Sequence, residues 1–165
     1  MEKIIANEVI DYMKVEEICE SCLPDNSSLN AIDDVLKISN NIISKLDFST
    51  YTTRVKVIVE KCFIKELDVL SSWFEAGLCF KNNIVESDID YQMGGHNKAP
   101  IEIINNIFLG HYSFFDCQFE APLIVRNNIF SKGTDLFYKE NKGFDNDFKE
   151  GVIAEGNIGE LNVIL

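Results

Sequence analysis

The chain has little of what usually betrays a function. In 165 residues it carries three prolines, one tryptophan, two histidines and no long hydrophobic run. No segment approaches the roughly 18 apolar residues of a membrane-spanning helix. The start, MEKIIANEVIDYMKVEE, lacks the uninterrupted apolar stretch of a signal peptide, so a cytoplasmic location is expected. Basic residues are scarce: 15 Lys and Arg stand against 27 Asp and Glu, a net charge of -12. Such a field repels phosphate backbones and anionic lipid, so neither nucleic acid nor a membrane is expected as a partner. The five cysteines, Cys19, Cys22, Cys62, Cys79 and Cys117, are odd in number and read as free thiols. Cys19 and Cys22 form one C-x-x-C with no second pair at ligand spacing, so no metal or other cofactor is expected. There is no phosphate-binding loop, dinucleotide fingerprint, H-E-x-x-H, G-x-S-x-G or EF-hand loop, which leaves no positive case for an enzyme.

What the chain does have is pattern. Residues 1–50 read as a helical hairpin. Ile5, Val9, Met13, Ile18 and Cys22 recur at helical spacing up to Pro24. A second helix begins near Ser27 or Ser28 and carries Leu29, Ile32, Val35, Leu36, Ile42, Ile43 and Leu46, with a polar opposite face. Lying just ahead of the repeats, this hairpin is expected to cap them.

Residues 51–165 repeat. VIVEKCF from Val57, LCFKNNI from Leu78, IEIINNI from Ile101, LIVRNNI from Leu123 and VIAEGNI from Val152 start 21, 23, 22 and 29 residues apart. That is solenoid spacing. The first, third and seventh places are apolar in all five, which at a 46% hydrophobic background has a chance of about 10⁻⁵. The sixth place holds Cys62, Asn83, Asn106, Asn128 and Asn157. Asparagine tolerates the left-handed backbone of a sharp corner, and amides stacked at a strand spacing of about 4.8 Å can hydrogen-bond in a ladder. Gly77, Pro100, Pro122 and Gly151 precede four of the segments. Phe74, Phe119 and Phe148 lie four residues ahead of their segments, and Asn97 interrupts that column.

The φ-x-φ-x-N-N-φ segments resemble those of the right-handed parallel β-helix superfamily and its pentapeptide-repeat-like relatives, although no strict five-residue period persists. The resemblance implies a mainly β fold, a right-handed parallel β-helix of about five coils with the α-helical cap at its N-terminus. It carries no activity with it.

Two coils deviate, and deviations in a solenoid are where function is grafted. ESDIDYQMGGHNKAP supplies Asp88, Asp90 and His96 as the general acid/base candidates, while GTDLFYKENKGFDNDF is about seven residues longer than its counterparts. Tyr91, His96, His111 and Tyr138 are the binding candidates. A protein-interaction or assembly module is the expected function. A small carbohydrate-binding or carbohydrate-active β-helix is the alternative, and an acidic mimic of DNA a minor one. The apolar ending, with Ile158, Leu161, Val163 and Leu165, suggests a homodimer through the C-terminal coil.

Overall fold

A computed structural model describes residues 9–11, 14–18, 35–139 and 143–163. The repeating segments form one wall of a β-solenoid. Its seven parallel strands are, in spatial order, Val9–Asp11, Val35–Ser39, Lys56–Glu60, Leu78–Lys81, Ile101–Ile104, Leu123–Arg126 and Val152–Glu155. Val57, Leu78, Ile101, Leu123 and Val152 pair one above the next, so the alignment of segments is also the strand register. The first and third places point inward. Val57, Val59, Ile101, Ile103, Leu123 and Val125 are all buried.

The chain turns after each of these strands into a second wall. That wall comprises Lys14–Ile18, Ile42–Asp47, Phe63–Asp68, Ile84–Val85, Ile107–Phe108 and Ile129–Phe130, again all parallel. Short pairs such as Thr52–Thr53 with Trp73–Phe74, and Gln118–Phe119 with Asp147–Phe148, close the rest of each coil. The interior is stacked aliphatics with an aromatic column that includes Phe80, Phe108 and Phe130.

The expected α-helical cap is not found. The described part of the first 50 residues holds the strands Val9–Asp11, Lys14–Ile18, Val35–Ser39 and Ile42–Asp47, joined by bends and turns, and no helix. The remainder of both expected helices, including Cys19, Cys22 and Pro24, lies outside the described residues. LKISNNI from Leu36 is a sixth copy of the repeat, 21 residues ahead of Val57 and paired with it. Its inward residues are Leu36, Ile38, Ile43 and Leu46, spaced by two, five and three. A corner between two strands breaks the alternation, and the resulting spacing imitates a helical period.

The corner divides its tasks between two residues. The fifth place, not the sixth, takes the left-handed backbone: φ is 54° at Asn40, 56° at Lys61, 57° at Asn82 and Asn105, 55° at Asn127 and 66° at Gly156. The sixth place turns its side chain inward. The Oδ1 of Asn83, Asn106, Asn128 and Asn157 each accepts the backbone N–H of the sixth residue one coil earlier, at 2.9 Å in every case. Their Nδ2 groups donate to the carbonyls of Val59, Phe80, Ile103 and Val125 at 2.8–3.0 Å. Corner backbone that cannot pair within a sheet is satisfied in this way.

Candidate interaction surfaces

The acid/base candidates hold the coil together locally. Asp88 is exposed, and its Oδ1 accepts the His111 backbone N–H at 2.8 Å and Lys132 Nζ at 3.1 Å. These two donors, the N–H first, keep its carboxyl below the usual range. Asp90 accepts the backbone N–H and side-chain amide of Gln92, at 3.0 and 3.2 Å. His96 is half-buried, with its ring 4.5 Å from that of Trp73 and its Nδ1 3.7 Å from Glu120. The three share no partner.

The binding candidates separate in the same manner. Tyr91 is 1% exposed, a core ring among Phe74, Phe114 and Phe119. Burial pushes its phenol well up, and its hydroxyl has no well-formed hydrogen bond. Gly94 makes room for it, since a Cβ there would lie 2.3 Å from the Tyr91 ring. His111 is buried, and its Nε2 lies 2.9 Å from the Val163 carbonyl. Val163 also donates its N–H to the Thr134 carbonyl and packs on Gly133, so this end of the described chain is fastened to the preceding coils. Cys62, Cys79 and Cys117 form no disulfide and are all buried, and burial pushes the Cys117 thiol well up. Among the described residues no group of three His, Cys, Asp or Glu could hold a metal ion, and no helix is long and apolar enough to cross a membrane.

Two surface features remain. The first is the seventh place of the repeat. Ile42, Phe63, Ile84, Ile107, Ile129 and Ile158 stack in register on the outside of the second wall. Exposure of 52% at Ile42, 37% at Ile84 and Ile129 and 65% at Ile158 shows that this column faces solvent. The inward residue is the eighth: Ile43, Ile64, Val85, Phe108 and Phe130 are fully buried. Two adjacent apolar residues on a strand cannot both point inward. The signal was therefore present in the sequence, as the pairs Ile42-Ile43 through Ile129-Phe130.

The second feature is a groove of about 500 Å³ at the last coil. It is lined by Leu136, Phe137, Tyr138, Lys139, Asp145, Asn146, Asp147, Phe148 and Val152. The longer coil builds it. Phe144 stacks on Phe115 with ring centroids 5.7 Å apart, and Asn146 accepts the Cys117 N–H at 2.9 Å while donating to the Leu136 carbonyl. Of the binding candidates, Tyr138 borders this groove, which is large enough for a ligand.

No protein-family model, curated protein or solved structure matches this chain. Its reading rests on its own geometry.

Proposed function

We propose that this chain is a non-catalytic interaction module whose solenoid presents the outer isoleucine column of the second wall to a protein partner. The observation that carries this reading is the repetition itself. Six successive coils place a large apolar side chain at one outward position, where solubility alone would favour polar residues. A column of six at about 4.8 Å spacing is about 24 Å long. It is flanked on the corner side by Asn82, Asn105 and Asn127, all exposed. On the other side successive coils present Lys65, Glu86, Leu109 and Ser131, all exposed and polar but for Leu109. The face thus has an apolar centre and a polar rim, the composition of a protein contact. The carboxylates and histidines that catalysis would need are instead tied to turns and neighbouring side chains.

Site-specific photo-crosslinking tests the reading. A photoreactive residue at Ile107 is expected to capture one partner in stoichiometric yield in cells of origin, while the same residue at Glu102, on the first wall, is not. Replacing Ile84 and Ile129 with Thr, which keeps the strand propensity, is expected to abolish the capture without lowering the melting temperature. Equal capture from both walls would refute the proposal.

A further inference from the structure

The groove at the last coil carries a second inference, independent of the isoleucine column. Phe148 lies on Phe119 with ring centroids 5.6 Å apart and planes 3° from parallel. Phe119 is fully buried, whereas Phe148 is half-buried, and the part of it that Phe119 leaves uncovered borders the groove. Phe137 stands beside it, 6.3 Å away and tilted by 57°. A flat, partly apolar group resting there would continue the ring stack by one layer. Around this aromatic floor the groove has exposed carboxylates at Asp145 and Asp147, one lysine, Lys139, and the half-buried Tyr138. Among the described residues from 137 to 161, five acids (Asp145, Asp147, Glu150, Glu155, Glu160) stand against Lys139 and Lys149. The chain's charge of -12 adds a long-range attraction for cations.

We propose that this groove binds an arginine side chain of a basic protein segment, with the guanidinium on the uncovered part of Phe148 and its N–H fork directed to the rim carboxylates. Arginine meets each feature of the site. Its head is planar and stacks on aromatic faces, its charge suits the acidic rim, its donors match carboxylate oxygens, and its aliphatic stem suits Phe137 and Val152. Lysine offers the charge without the plane. A neutral sugar would use the aromatic floor and draw nothing from the charge of Asp147 at the rim. The expected contact is a single arginine within a longer peptide.

The test is an NMR titration of the full chain with the peptide acetyl-Gly-Arg-Gly-amide and its citrulline analogue, which keeps the shape and removes the charge. The arginine peptide is expected to shift the resonances of Phe137, Phe148 and Val152 saturably, with an affinity that falls as salt is raised. The citrulline peptide is expected to bind at least about fivefold more weakly. Asp147→Asn, an exposed substitution that leaves the floor intact, is expected to weaken binding about two- to threefold. Phe148→Leu is expected to remove the shifts at Phe137 and Val152. Equal binding of the two peptides would overturn the proposal. So would shifts indifferent to Asp147→Asn, or a response of the same three residues to methyl glucoside and not to the arginine peptide. None of these outcomes bears on crosslinking at Ile107.

Discussion

At the scale of the residue, the corner shows how two neighbouring asparagines come to do different work. Asn105 has φ 57° and is exposed, so its part is backbone conformation. Asn106 is buried, and its side chain accepts the Asn83 N–H and donates to the Phe80 carbonyl. Replacing Asn106 with Val strands both of those buried groups, at a cost of about 2–4 kcal/mol. Replacing Asn105 with Val forces a β-branched residue into the left-handed region, at about 1–2 kcal/mol. Asn105→Gly should be close to neutral, because glycine reaches that φ freely, whereas Asn106→Gly should be as costly as Asn106→Val. Urea denaturation of the four variants checks this. If glycine were equally tolerated at both places, the division of labour would be wrong. The repeat spacing marked both positions, but parity at a corner depends on where the chain bends, and no residue type announces that by itself.

At the scale of the element, the first wall is bound on its outer side by charge as well as by backbone. Glu60 bridges Lys37 at 2.7 Å and Lys81 at 3.1 Å, one coil to either side. Lys37 first, then Lys81, hold its carboxyl below the usual range. Asp88 is depressed likewise by the His111 N–H and Lys132. A carboxylate whose pKa is lower folded than unfolded stabilises fully above its unfolded value, near about 4.3 for Glu. That contribution is lost as pH falls through the lower folded value. The chain should therefore lose stability on acidification below about pH 4.5. Glu60→Gln should lower the urea midpoint at pH 7 and make its fall between pH 7 and 3 shallower. An unchanged acid slope in this variant would show that Glu60 does not couple the coils. The strands of this wall from Val57 onward were legible because the same apolar places recur in every repeat. The Leu36 strand was not, because its apolar residues run straight across a corner and mimic a helix.

At the scale of the whole molecule, each coil depends on the next for the pairing of its strands and the covering of its core. The Lys56–Glu60 strand is paired on one side with Val35–Ser39, and Phe63–Asp68 with Ile42–Asp47. Deleting residues 1–47 therefore removes an integral coil. It leaves two strand edges open and uncovers Val57, Val59 and Ile64. The truncated chain should polymerise or precipitate, as followed by light scattering. A soluble monomer with the native melting temperature would show that the Leu36 coil is dispensable. At the other end, Val163 is held by Thr134, Gly133 and His111. Replacing it with Asp would thus disturb the coil before it reported on any dimer.

The sequence by itself determined the period, the strands from Val57 onward and their register, because stacking repeats one environment and selects the same residue type at the same phase. It also placed the long coil that builds the groove, since an insertion stands out against a fixed period. Tertiary structure decided which of two adjacent apolar residues faces water, that the first rungs are strands, and that Tyr91 is core while Tyr138 borders a cavity. These are properties of where the chain bends. A bend changes the inward phase by one residue, which leaves composition and spacing almost untouched and reverses which side chains meet solvent.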